Sequence, residues 1–273
     1  MKCNDVIRML LPPIALRAAR WLRPLLRYAP EGWETRLSAD QRGWNAARVI
    51  DEEKAKWELF LKNLEGAGPL GFSHESSDLS ETRNVSFHNI HLIYAYVLAL
   101  AAHRKDLVSV LDWGGGLGHY HRLGRALLPG VALDYHVKEV PALAAEGRRL
   151  NPEVRWHEDD GCLDRTYDLV MVNGSLQYIR DWRETVGRIA RATGGYFFLH
   201  RLPVVEQGPS YVAVQKAYGT EMLHQQLNQQ EVFKTIEDAG LRLVREFIVG
   251  DRPVIPWAPA PCEMKSWFFI AGG

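Results

Sequence analysis

Cysteine is scarce in this chain: Cys3, Cys162 and Cys262 are the only three in 273 residues, an odd number with no C-x-x-C pair. That excludes a disulfide framework and a cysteine-based structural zinc site, and it fits a reducing compartment. Neither sign of charge is in excess, since 33 basic residues balance 33 acidic ones. Neutralising a phosphate backbone takes a basic surplus, so nucleic acid is not an expected partner. No apolar run reaches the roughly 18 residues that span a bilayer, and a cytoplasmic location is expected. The sequons at Asn84 and Asn173 are then incidental, because glycosylation needs a secretory route.

What is present is an average soluble composition, 47% hydrophobic and 24% charged, which excludes global disorder. A chain of this length holds one large domain or two small ones and buries a sizeable core. The first thirty residues depart from the neutral whole. Lys2, Arg8, Arg17, Arg20, Arg23 and Arg27 face only Asp5, a net charge of +5. At about 100° per residue the later arginines share one arc, while Ile14, Ala18, Trp21, Leu22, Leu25 and Leu26 share the other. The pattern predicts a basic amphipathic helix beginning near Pro12-Pro13. Two readings are open for it: peripheral contact with an anionic membrane surface, or packing against the body with its arginines in water.

Residues 33–65 read as helix, ending at Gly66-Ala67-Gly68-Pro69. The polar stretch 71–86 reads as a loop that could cover a site, and a second helix is expected over 87–103. These elements form an N-terminal helical extension, residues 1–104. From Leu107 onward, short apolar runs alternate with amphipathic segments, the grammar of a parallel α/β sheet and of a second domain over 105–273. Strands are expected at 108–112, 132–137, 154–158, 167–173, 196–200, 241–249 and 265–270, with helices over 118–128, 140–150 and 182–192. Asn228-x-x-Glu231 resembles a capping box ahead of a further helix that ends at Gly240. Residues 201–228 read as a long functional loop.

The first of these strands runs into Asp112-Trp113-Gly114-Gly115-Gly116-Leu117-Gly118, a D-x-G-x-G-x-G at the turn from strand to helix. Glycines there let backbone approach a ligand, and the following helix presents free N–H groups. In open α/β sheets ligands bind at the carboxyl ends of the strands. Glu139 follows the second strand, 21 residues beyond Gly118, a spacing suited to a ribose diol. A nicotinamide site would want Gly or Ala where His121 stands, which disfavours an NAD(P)-dependent oxidoreductase without removing it as an alternative.

Opening on Asp112, the loop resembles motif I of class I S-adenosylmethionine (SAM)-dependent methyltransferases, whose cofactor carries cationic groups that suit a carboxylate. More narrowly, Leu111–Gly116, Ser175-Leu176-Gln177-Tyr178, Arg201-Leu202-Pro203 and Val214-Gln215 look like a bacterial family of methyltransferases of unassigned substrate, several of which sit beside surface-polysaccharide genes. The resemblance implies a Rossmann-like α/β fold: a seven-stranded sheet in the order 3-2-1-4-5-7-6, the seventh strand antiparallel, with helices on both faces. It implies Asp112, Gly114, Gly116 and Gly118 at the methionine moiety, Glu139 on the ribose, Asp160 near adenine, and Asn173 at the end of the fourth strand. Trp113 departs from the family's small aliphatic residue. Asn173-Gly174-Ser175 departs from the N-P-P-Y sequence of enzymes that methylate amide or base nitrogens.

The expected reaction is O-methylation of a small-molecule or glycan-linked hydroxyl, with a methyltransferase-like scaffold lacking turnover as the alternative. His200, at a strand end, is the leading candidate base, ahead of His119, His121, His88 and His91. Arg201 could bind an acidic acceptor or form a salt bridge. Gln215, Tyr218, Glu221 and His224 could line the acceptor pocket or wrap the sheet edge. Tyr94 and Tyr96 could lie over the cofactor or in the core. No metal is expected, because His88-x-x-His91 and His119-x-His121 each lack a third ligand.

Overall fold

The computed structural model describes residues 25–37, 43–75 and 79–272. Most of the predicted N-terminal amphipathic helix lies outside them. Where the described chain begins, Leu26–Tyr28 is a strand, β1, and not helix. Leu26, Arg27 and Tyr28 pair antiparallel with Gln215, Val214 and Ala213, so sheet pairing overrides the helical periodicity there.

The helix read over 33–65 is shorter than expected. Residues 32–34 and 43–45 form single 3-10 turns. Gly43 has φ +60° and Ala46 is extended, so α1 starts only at Ala47 and runs to Leu64. α2, Val85–Ala101, is capped by the Asn84 side chain, which accepts from the Ser86 and Phe87 amides and explains that asparagine without a glycan.

The α/β body then unfolds in the expected order: β2 (Leu107–Trp113), α3 (His119–Leu127), β3 (Ala132–Lys138), α4 (Pro141–Leu150), β4 (Arg155–His157), β5 (Tyr167–Asn173), α5 (Trp182–Ala192) and β6 (Thr193–Val205). β7 (Tyr211–Ala217), β8 (Thr220–Asn228), α6 (Gln229–Asp238), β9 (Leu241–Ile248) and β10 (Glu263–Ala271) complete it. One path across the sheet reads β4-β3-β2-β5-β6-β10-β9, with β10 antiparallel to both neighbours. This is the order 3-2-1-4-5-7-6, but the sheet has ten strands and not seven.

Besides β1, the extra strands come from residues taken for a loop. Residues 201–228 are not irregular: β6 continues past the end of β5, and β7 and β8 form an antiparallel hairpin whose far end joins β6 through Val204–Leu227 and Val205–Asn228. Tyr218 and Gly219, both at positive φ, make the two-residue turn that right-twisted strands favour. The capping box before α6 is half realised. Asn228 Oδ1 accepts from the Glu231 amide, while the Asn228 amide donates to Ser210 Oγ and the Glu231 carboxylate is taken by Arg183.

Strand alternation sorts the core onto two faces. Leu111, Val170, Val172, Phe197, Leu199, Trp267 and Phe269 pack under α5 and α6. Val110, Tyr135, Leu169, Met171, Phe198 and Phe268 pack under α2 and α3, with Tyr94 among them. The seam between α4 and β4 is tight. A Cβ on Gly147 would collide with the Trp156 ring, which is anchored by Nε1 donating to Asn151 O at 3.2 Å. Gly147→Ala should therefore lower stability by about 1–3 kcal/mol in urea unfolding, despite alanine's better helix propensity. A neutral or stabilising result would show that the Trp156 ring can yield.

Candidate active site

The carboxyl ends of β2 and β5 and the neighbouring mid-strand position of β6 carry three polar residues on one sheet face, Asp112, Asn173 and His200; His200 lies within β6, which runs on to Val205, and not at a strand end as expected. Asp112 pairs across to Met171, and Asn173 pairs to His200. Asp112 is fully buried. Tyr135 Oη donates to its Oδ2 at 3.1 Å, and Oδ1 has no hydrogen-bond partner. Burial lifts the carboxyl from its ordinary 3.8 to about 7; the Tyr135 hydrogen bond opposes this and the nearby Glu139 charge adds to it.

Each glycine of the loop has its own reason. A Cβ on Gly114 would run into Ser175, whose Oγ donates to Trp113 O at 2.8 Å. One on Gly115 would sit 2.5 Å from Asp112 Oδ2, so this residue, unmarked in the motif as read, is what lets the carboxylate fold under the loop. Gly118, at φ +79°, heads α3 and faces Asn151 and Trp156. The space beside its Cα is filled by that packing, which is a reason for glycine here in addition to its place in the motif. Gly116, at φ +58°, is the open one: its Cβ direction meets only His119 Nδ1, at 3.8 Å.

Glu139 sits against the same loop. Its Oε2 accepts from the Gly116 amide at 2.9 Å and its Oε1 from the Val140 amide at 2.7 Å. Asp160 is crowded by donors: Trp113 Nε1 at 3.2 Å, Lys138 Nζ at 3.5 Å and Arg188 at 3.4 Å. Lys138 lies 4.5 Å above the Trp113 ring. The unexpected tryptophan is thus part of the wall that holds Asp160.

His200 is buried, with Nδ1 paired to Ser266 Oγ at 2.6 Å and Nε2 without a partner. Burial holds it neutral, well below the usual histidine range. Next to it, Arg201 adopts φ +55°, and its amide donates to the same Ser266 Oγ at a bulge in β10. A non-glycine residue held there is strained backbone of the kind that clusters at functional sites. The turn brings the Arg201 guanidinium onto Glu75 in a two-pronged pair, one arm at 2.7 Å. Burial pulls the Glu75 carboxyl up, but Arg201 outweighs it and holds it at about 2. The salt-bridge reading of Arg201 therefore describes this state, with a carboxylate as the natural competitor.

His119 is not beside His200. It is buried against Trp57 and Phe60, stacked on His74 with ring centroids 4.0 Å apart, and both its nitrogens lack partners. The remaining histidines are structural. His121 pairs with Asn151 at 3.1 Å, while His88 and His91 bond the backbone of Leu70. Tyr94 is core, donating to Tyr120 O at 2.9 Å, and Tyr96 is on the outside against Phe247.

The hairpin residues divide. Gln215 accepts from Tyr178 Oη at 2.5 Å, and Tyr218 Oη donates to Glu53 at 2.8 Å, both facing inward. Gln177 folds onto Gly174 O at 2.7 Å; His224 is packed beside Tyr178 and bonded to Gln226; Glu221 pairs with Lys216. Sequence reasoning missed Glu53, His74, Glu75 and Tyr135. One of these was legible, because Val49, Glu53, Trp57 and Phe60 form the buried stripe of α1, and a glutamate in an apolar stripe is a signal.

The folded chain holds the Asp112 proton up to about pH 7, while the unfolded chain releases it near 3.8. Its stabilising contribution is thus complete below the lower value and lost as pH rises toward the higher one. Asp112→Asn keeps the shape without the charge. Between about pH 5 and pH 8 the wild type should lose about 3 kcal/mol of unfolding free energy that the variant retains. Parallel pH dependence of the two in urea titrations would contradict a buried, elevated carboxyl.

The sequence matches no protein-family profile. It matches no curated protein either. Solved structures do overlay on it. A proposed sarcosine dimethylglycine methyltransferase from Galdieria sulphuraria superposes at a TM-score of 0.52 and 10% identity, covering 81% of this chain and 98% of that one. The SAM-bound amino pentose methyltransferase CalS10 from Micromonospora echinaspora gives 0.47 and 17%, over 67% of this chain and 91% of that one. The 1,6-didemethyltoxoflavin-N1-methyltransferase of Burkholderia thailandensis gives 0.47 and 16%, over 89% and 94%. The fold is the Rossmann-like one of class I methyltransferases.

Proposed function

We propose that the chain is a SAM-dependent methyltransferase that O-methylates a small-molecule or glycan-linked hydroxyl. The observation that carries this reading is the buried Asp112 carboxylate with a bare Oδ1 beneath a glycine loop, beside Glu139. A buried anion without a cation is costly, and a ligand ammonium or sulfonium would offset the cost. Gly116 leaves room for close approach, Glu139 would exchange its backbone partners for the ribose hydroxyls, and Asp160 would sit at the adenine end.

SAM supplies a methyl group on a cationic sulfur. The chain's part is to hold the acceptor oxygen in line with the carbon–sulfur bond and to remove the hydroxyl proton. Bound SAM would give up that methyl to the acceptor oxygen, with S-adenosylhomocysteine as the product. His200 suits the proton acceptor: it is neutral, its Nε2 is free, and Ser266 fixes its ring. Arg201 would hold an anionic acceptor group by exchanging Glu75 for it, which favours acidic acceptors such as uronates. The surface-polysaccharide setting of the resembling family fits such an acceptor, and the basic residues within 1–30 fit peripheral contact with the membrane on which glycan-linked acceptors are built.

Calorimetric titration tests the cofactor assignment. S-adenosylhomocysteine should bind and NADH should not, and Asp112→Asn should weaken the sulfur ligand at least tenfold, about 1.4 kcal/mol, while the protein stays folded. Binding of NADH alone would overturn the reading in favour of an oxidoreductase; binding of neither would favour a scaffold.

A further inference from the structure

We propose that Glu53, His74 and His119 form a three-ligand site for a first-row divalent cation of the Zn2+ class, set between α1 and the glycine loop. Their donor atoms all lie within 4.8 Å of one another, and the three come from separate elements: α1, the segment after it, and the first residue of α3. The site is independent of the cofactor assignment.

Two observations converge on a cation. His119 is buried with both ring nitrogens unpartnered, and its Nε2 faces Glu53 Oε2 at 4.0 Å. Buried polar atoms without partners are rare and call for a bound species. Glu53 is a 5% exposed carboxylate with Tyr218 Oη on one oxygen, which leaves the other turned to the histidines.

The His2Glu set is a known catalytic-zinc donor combination with a fourth position for water or substrate, and it excludes Mg2+ and Ca2+, which prefer all-oxygen sites. Two nitrogens at 2.0–2.1 Å from one ion lie about 3.3 Å apart in tetrahedral geometry. The rings of His74 and His119 are stacked, 4.0 Å between centroids, and would have to turn out of that stack to point their nitrogens at one ion. Tyr218 acts through the carboxylate, orienting it as outer-shell donors do. Glu75 follows His74 in sequence, and its pair with Arg201 joins this site to β6. An ion here would pin α1 to the start of α3, just after the glycine loop.

The test is metal binding by the untagged full chain. After dialysis against micromolar Zn2+, the wild type should retain one equivalent by elemental mass spectrometry, and Co2+ should give the visible bands of a four- or five-coordinate ion. His74→Ala and Glu53→Gln should each weaken binding at least tenfold; His88→Ala, at a histidine outside the cluster, should not. Thermal unfolding and S-adenosylhomocysteine titration of each variant separate lost ligands from lost fold, and loss of the sulfur ligand alone speaks against the cofactor reading, not this one. No retained metal in the wild type, or equal affinity in a folded His74→Ala or Glu53→Gln protein, overturns the site.

Discussion

A carboxylate buried at the end of a strand needs either a proton, hydrogen-bond donors or a cation, and Asp112 has one donor, Tyr135, on one of its two oxygens. Much of the surrounding structure follows from this. Gly115 has no side chain because the carboxylate occupies that space, and Gly114 has none because Ser175 occupies the neighbouring one. The loop can then bend over the acid and deliver the Gly116 amide to Glu139. Two carboxylates are thereby held close beneath one glycine loop, each raised by burial and each costly while nothing neutralises it.

The second constraint is how the crevice is walled. β6 outruns β5, so the sheet does not stop at the strand ends where the glycine loop lies; it continues as the β7–β8 hairpin. The Tyr218 turn touches Glu53 on α1, and Gln215 touches Tyr178 beyond β5. Arg201, forced through a left-handed backbone angle, ties the wall to Glu75. Helical extension and body thus meet around the site through buried polar contacts, which are weak evidence for stability and better evidence for fixed geometry.

The body was legible because its strands are continuous apolar runs and its helices are cleanly bounded: 167–173 and 182–192 fall where the sequence places them. The glycine loop was legible from residue type and spacing. Three things were not. Leu26–Tyr28 carries helical periodicity but is captured by a strand edge, a tertiary effect. Residues 201–228 lack strong alternation because the hairpin is buried on both sides at Ala213, Val214 and Gln226, so they read as a loop. The His74, Glu53 and His119 cluster joins residues far apart in sequence, and only the glutamate left a trace, as a charged residue on an apolar stripe.

The central claim is that the loop from Asp112 to Gly118 is a SAM site, and a crystal structure with S-adenosylhomocysteine bound tests it most directly. The account predicts the ribose hydroxyls on Glu139, displaced from the Gly116 amide, the amino group within reach of Asp112 Oδ1 and the sulfur above Gly116. A ligand bound away from this loop, with the Gly116 amide still on Glu139, would contradict it.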